Sequence, residues 1–422
     1  MTIKRIITDI AISAIMITLT KKYLFIVILC ISLCACGDKK KASNTLDIPI
    51  LKVSDCEQVE DLTKSHPEYF LETKYVKLES TDESILGEIT QMEIFEKHIY
   101  ILDRQGKSLK KFDMNGKYLQ NIGKEGLGPE EYVSLNAFYI NPERKTINIF
   151  DPMKNAVLQY DLYGKYQNTV EVEKNSTVFF RRLSYLNENE IFCYSGTNWR
   201  TNCECSILDA TKQYAANCLY PYPLKSDKQM SMGIHKHPYS VINNKISFIS
   251  VFCDTVFSYS NKEIRPRMFI EREKPVADLQ TLNKIFSETD GDLISTIRAV
   301  GKKGYTMGFN NIFETESFIC CDFNDVSQQG NWAHNAIIWN KKTDKGVCLS
   351  GYSKSTPDFR LIYYAFDNTF VRIWDEIHIA NFNNHLERDI YKREDYDEEI
   401  MKLLDTYNAE DDNPILIFYT MK

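Results

Sequence analysis

The run Ile99–Asp103, IYILD, sets large apolar side chains at alternate positions and ends on an acid. INIFD, at Ile147–Asp151, repeats that pattern forty-eight residues later. Alternation with a period of two predicts a strand with one face in a core. In each copy a hairpin follows, LKKFD-MNG-KYLQNI in the first and LQYD-LYG-KYQNTV in the second. Aligned without a gap, Ile99–Ile122 and Ile147–Val170 are identical at Ile99/Ile147, Ile101/Ile149, Asp103/Asp151, Asp113/Asp161, Gly116/Gly164, Lys117/Lys165 and Tyr118/Tyr166. Asn115-Gly116 is expected to supply the positive φ angles of a tight turn. The second copy has Tyr163 before Gly164, so the glycine is the geometric essential. Asp113 and Asp161 read as turn formers that accept backbone N–H bonds, not as catalysts. Strand-turn-strand units at a fixed period predict a radial β array.

Diverged units continue the pattern near residues 178–222, 237–272, 306–350 and 355–385, after the clear ones at 85–125 and 133–172. Between the fourth and fifth, Pro275–Val300 places Leu279, Leu282 and Phe286 at helical spacing. Arg388–Asn408 contains REDYDEEIMKLLDTY, an acidic amphipathic helix with Ile400, Leu403 and Leu404 inward. Thr73–Leu78 reads as a first strand parted from its blade, and Pro414–Tyr419 as a last strand that closes the ring. The length left after the helices holds six units of the observed period, with seven as the alternative. The expected fold is therefore all-β, a six-bladed β-propeller over residues 71–422, with a helical insertion at about 275–300 between later blades and a short C-terminal helix within about 388–408.

Upstream, Lys21 and Lys22 precede the apolar run Tyr23–Leu33, too short to span a membrane as a stable helix. It ends in Leu33-Cys34-Ala35-Cys36-Gly37, which resembles the lipobox of bacterial lipoproteins. That resemblance implies removal of residues 1–36 as a signal peptide and lipidation of Cys36. A start at Met16 gives a more ordinary leader, and an uncleaved signal anchor is the alternative. Residues 37–70 then form a polar tether and N-terminal segment.

The whole chain carries a net charge of −7. Its first 36 residues hold four basic side chains and one acid, so the remainder stands at −10, which argues against nucleic acid as a partner. The 25 Tyr and 23 Phe suit many short strands. Nine cysteines follow Cys36, with no CxxC pair. Cys203, Cys205 and Cys218 with His235 and His237 lack the two tight ligand pairs of a structural zinc site, so neither metal nor cofactor is expected. Most of these thiols read as small buried apolar groups, with room for one or two disulfides.

Gly123-Lys-Glu-Gly126-Leu-Gly128-Pro129-Glu-Glu131-Tyr132 resembles the GxxGxGPxEY signature of bacterial 6-bladed β-propeller lipoproteins, a group with NHL-like and TolB-like repeats. Cys253-Asp254-Thr255-Val256-Phe257 is similar to that family's D-T-[IV]-[YF] element, and Asp412-Asn413-Pro414-Ile415-Leu416 to its D-N-P-x-L ending. The resemblance spans nearly the whole mature chain. It implies export and a lipid anchor in a Gram-negative cell envelope, and leaves the biochemical role undefined.

No HExxH, GxSxG or GK[ST] is present, and no catalytic residue is assigned. His235 and His237 read as loop histidines in solvent. Glu131 and Tyr132, in the glycine-rich loop, are candidate ligand contacts. So are Trp199, Arg200 and Trp332, whose aromatic, amide and guanidinium groups suit stacking on sugar rings as well as packing between blades. Two functions follow from this reading: a lipid-tethered binding or scaffold module for a glycan, peptide or partner protein, or a glycan- or ester-cleaving enzyme with its site on one propeller face. A cluster of carboxylate, His and Arg on one face would favour the enzyme.

Overall fold

The structure is a computed structural model that describes residues 48–173, 180–196, 203–221, 237–250, 253–290, 292–306, 308–326, 332–349, 359 and 361–422. Cys36, its leader and most of the tether lie outside these residues, as do His235 and the pair Trp199-Arg200.

Six antiparallel sheets form the blades of a propeller. Blade one runs from Ile89 to Asn121, blade two from Ala137 to Glu171, blade three from Arg182 to Pro221 and blade four from Tyr239 to Glu271. Blade five runs from Phe309 to Leu349. Blade six takes Ile362–Phe366, Thr369–Trp374 and Ile415–Met421 from the C-terminal part and its outermost strand, Phe70–Lys77, from near the N-terminus. The register sets Leu416 against Val76 and Phe418 against Lys74. Pairing the two ends of the chain in one blade puts the last strand, Ile415–Met421, inside its sheet, with Phe70–Lys77 covering its outer side.

The D-N-P-x-L ending explains how this closure is pinned. Asn413, 1% exposed, donates through Nδ2 to the carbonyls of Glu79 (2.7 Å) and Ser84 (3.0 Å) and accepts from the N–H of Leu86 at 2.8 Å. Its neighbour Asp412 meets Lys77 at 2.7 Å. A second device was not legible in the sequence. Ile50–Lys52 and Glu57–Val59 add parallel edge strands to blades four and five, so the segment entering the ring covers two outer edges before it joins blade six.

In the repeat, Asp113 accepts from the N–H groups of Asn115 (2.8 Å) and Lys117 (3.0 Å), and Asp161 from Tyr163 and Lys165 at 2.9 Å each. Both acids are turn formers. Only the glycine of each turn has positive φ, +85° at Gly116 and +77° at Gly164. Asn115 does not share it, and a β-bulge between Lys111 and Phe112 absorbs the extra residue. Asp103 and Asp151, both fully buried, brace the start of their own blades: Asp103 accepts from Gly87 and Glu88, Asp151 from Val133.

The insertion between blades four and five consists of helices Leu279–Glu288 and Leu293–Lys302, capped by Asp278 and Asp292. Helix Glu398–Asp405 lies within the expected C-terminal stretch and buries Ile400, Met401 and Leu404. A further helix, Glu376–Glu387, capped by Asp375, occupies part of what reads as blade in the sequence. Cys203 and Cys218 form a disulfide across adjacent strands of blade three, which takes two thiols out of the imagined metal cluster. Cys56, Cys193, Cys205, Cys320, Cys321 and Cys348 are buried and lie outside this disulfide.

Candidate functional site

The first strand of each blade lines the central channel, and their starting ends are laced together. Gln91 of blade one donates to the carbonyls of Phe138 in blade two (2.7 Å) and Leu183 in blade three (3.1 Å). The Tyr363 hydroxyl of blade six donates to the Ile89 carbonyl at 2.8 Å. Arg182 of blade three donates through Nη2 to the Thr90 carbonyl at 2.6 Å. The N–H of His237, at the entry to blade four, donates to Asn311 of blade five at 2.7 Å. These cross-links tie the blades together at one end of the channel, which is its floor.

Above the floor a cavity of ≈ 250 Å³ opens toward the far ends of the same strands. Its mouth lies at Phe95, Pro142, Tyr185 and Asn244. Two-residue hairpins whose φ angles are all positive, Glu96-Lys97 and Asn243-Asn244, turn the chain there, a geometry that matches the right-handed twist of the strands. Ion pairs join neighbouring blades around the rim, Lys145 to Glu96 at 2.7 Å and Arg144 to Glu188 at 3.3 Å.

Three chemically distinct groups converge inside. Nη1 of Arg182 is 2.5 Å from Nδ1 of His237, and its guanidinium stands 5.8 Å from the centroid of Tyr363. The imidazole packs edge-on against Tyr363 at 4.3 Å. His237 is only 5% exposed, which corrects its reading as a loop residue in solvent. Glu93 is half-buried and accepts from the Tyr364 hydroxyl at 2.8 Å. Desolvation is the chief influence on its carboxyl and pushes it up to about 7, against the opposing pull of Tyr364, Gln91 and Arg182. Tyr239 closes the wall, its hydroxyl 3.0 Å from that of Ser184.

Glu131 and Tyr132 sit elsewhere. The glycine-rich loop joins the outer strand of blade one to the inner strand of blade two, at the ring face where the inner strands begin, opposite the cavity mouth. Tyr132 is 1% exposed and packs with Tyr100, Leu109 and Tyr160. Glu131 pairs with Lys124 at 2.8 Å and accepts from the Gly128 N–H at 2.9 Å. Lys154 donates to the carbonyls of Gly128 and Glu131, and Tyr160 to that of Glu130. Gly123 lies so close to Tyr160 that a Cβ there would stand 2.7 Å from the ring. The signature therefore builds a joint between blades, and its side chains serve that joint. Trp332 opens the strand Trp332–Asn340 of blade five, pairing with Val326. Its side chain lies outside the described residues.

The cavity residues Glu93, Arg182, His237, Tyr363 and Tyr364 carry no motif. One signal was available: in ITQMEIF, Gln91 and Glu93 are two apart and so share a strand face, polar where a core strand would be apolar.

A closed ring of six four-stranded blades, two of them extended by edge strands, with a floored central cavity, defines the class: a six-bladed β-propeller. The DUF4934 family, a domain of unknown function, matches residues 50–420, and the chain belongs to that family. A comparison with curated proteins finds no match. Among solved structures, a Bacteroides fragilis protein classed as exported is 16% identical, with a TM-score of 0.67 over 89% of this chain and 99% of its own. A member of the DUF4221 family from Bacteroides vulgatus is 11% identical, with a TM-score of 0.49 over 84% of this chain and 99% of its own. At such identities the first likeness concerns the fold alone.

Proposed function

We propose that this chain is an exported, lipid-anchored binding module of the cell envelope whose ligand, the end of a glycan or peptide, enters the central cavity. The cavity carries the proposal: five tyrosines line it around Glu93, Arg182 and His237. Export and lipidation at Cys36 are supported by the lipobox-like leader and by a structural neighbour classed as exported. The finer kinship with NHL-like and TolB-like lipoproteins rests on the Gly123–Tyr132 signature.

Carboxyl, arginine and histidine do meet in one cavity, the composition that would favour an enzyme. Their mutual contacts argue otherwise. Both ring nitrogens of His237 face Arg182, so its accepting nitrogen is engaged there, the Ser184 hydroxyl is engaged by Tyr239 and Glu93 receives Tyr364. No nucleophile is paired with a base among the described lining residues.

The test is a glycan and peptide array with the chain from residue 37 onward, followed by mass spectrometry of any ligand. A bound ligand of unchanged mass supports the module, and cleavage products establish the enzyme instead. Lipid labelling that persists in Cys36→Ser would refute the anchor.

A further inference from the structure

Resting on the reading of the cavity as the ligand site, we propose that its floor is a subsite for a small carboxylate, of about one sugar ring, held against Arg182. Among the described residues the ion pairs do not include Arg182. Its hydrogen-bond partners are the backbone carbonyl of Thr90, the imidazole of His237, whose two ring nitrogens face Nη1 and Nη2, and the Tyr363 hydroxyl. A guanidinium has no acceptor, so the imidazole of His237 takes part as acceptor and is neutral in the contact. The cation is thus held in place by groups without negative charge.

The cavity's own carboxyl does not neutralise it. Glu93 lies beyond ion-pair distance of Arg182, bound instead to Tyr364 and within 3.4 Å of Gln91 Nε2. The titratable and charged groups acting on it are Tyr364 and Arg182, with Tyr239 also in its field. Burial outweighs them and keeps its proton to about 7. In that state the site is a partly desolvated cation beside a neutral acid, which can donate to an anion. A buried charge without a counter-charge is costly, and an entering carboxylate relieves the cost through the planar fork of the guanidinium.

Size and walls narrow the ligand further. At ≈ 250 Å³ the space falls below the roughly 300–1,000 Å³ of sites that enclose drug-sized molecules, so it takes one small unit or the tip of a chain. The wall tyrosine hydroxyls are committed within the protein: Tyr363 to the Ile89 carbonyl, Tyr364 to Glu93, Tyr239 to Ser184, Tyr185 to Glu143 and Tyr139 to Tyr214. What the tyrosines offer is ring surface, which suits a compact unit with an apolar face.

Calorimetric titration of the full chain in detergent with glucuronate, glucose and acetylglycine tests this. Glucuronate and glucose differ in the carboxylate, and acetylglycine carries a carboxylate without a sugar. Glucuronate is expected to bind at least about tenfold more tightly than glucose. Between about pH 6 and about pH 8 its affinity should fall about tenfold, as the fraction of neutral Glu93 does. Glu93→Gln should abolish the pH dependence of glucuronate binding, which separates this account from simple loss of fold. Folded Arg182→Lys should bind more weakly. Preference for acetylglycine would assign the carboxylate to a peptide end, and preference for glucuronate to a sugar acid. Equal binding of glucose and glucuronate, or glucuronate binding that does not respond to Arg182→Lys, overturns the proposal. If the array yields a neutral ligand seated in the cavity while all carboxylates fail, this inference falls and the binding-module reading stands. If no ligand of any kind enters the cavity, both fall.

Discussion

Nη1 of Arg182 lies 2.5 Å from Nδ1 of His237, and because arginine can only donate, the histidine must accept. This contact joins blade three to the entry of blade four and holds the one cation on the cavity floor among the described lining residues. It also takes from His237 the lone pair it would need as a base. His237→Gln offers another acceptor and should preserve the contact. His237→Phe removes it, leaves a donor unpaired, and should cost about 1–3 kcal/mol more in urea unfolding. Equal stability of the two variants would show that the contact does not carry the floor.

Glu93 predicts an inverted pH response. Its carboxyl is raised to about 7 in the fold, above its ordinary value of 4.5. The folded state therefore binds more protons between those limits, and this residue's contribution to stability is present below pH 4.5 and declines as pH rises to about 7. Wild type and Glu93→Gln should melt together near pH 5, whereas near pH 8 the variant should be more stable by on the order of 1–3 kcal/mol. A constant gap between the two melting curves across this range would contradict the raised carboxyl.

Asn413 holds both ends of the chain through the carbonyls of Glu79 and Ser84 and the N–H of Leu86. Truncation to Asn413→Ala takes this partner from three backbone groups, at an expected cost of about 1–3 kcal/mol. Hydrogen exchange should then quicken first in Phe70–Lys77 and Ile415–Met421, the strands that close blade six. Uniform loosening of all blades would show that closure is not localised there.

Gly116 and Gly304 separate two reasons for a glycine. Both have positive φ, +85° and +80°. A Cβ at Gly116 would stand 2.3 Å from the Lys77 carbonyl oxygen, whereas at Gly304 nothing lies within 4 Å. Gly304→Ala should cost about 1–2 kcal/mol from backbone strain alone. Gly116→Ala should exceed it clearly, because the turn must also move away from the closing strand. Equivalent losses in denaturant titrations would remove the steric part of this account.

The hairpins, the two turn-forming acids and the ring closure were legible because each is written locally, in alternation, in a glycine or in a terminal strand. Ile50–Lys52 and Glu57–Val59 were not, since three residues are too few for a period to register. Helix Glu376–Glu387 was hidden because IWDEIHI continues the alternation of the strand before it, and only Ile379 and Phe382 are buried along its length. The cavity was illegible for a different reason. Glu93, Arg182, His237 and Tyr364 come from four blades, separated by up to 271 positions, and only closure of the ring brings them together. Conversely, the loop with the strongest family signature proved to be a joint, with Tyr132 in the core.

In the proposed function the floored cavity receives the ligand. Ala365 lines it without a polar group of its own, so Ala365→Trp fills the space while sparing the floor. The array of glycans and peptides, run with wild type and with this variant at matched melting temperature, is the direct measurement. Loss of binding by at least about tenfold in the filled variant is the predicted result. Undiminished binding by a folded Ala365→Trp protein would place the ligand elsewhere on the propeller and contradict the account.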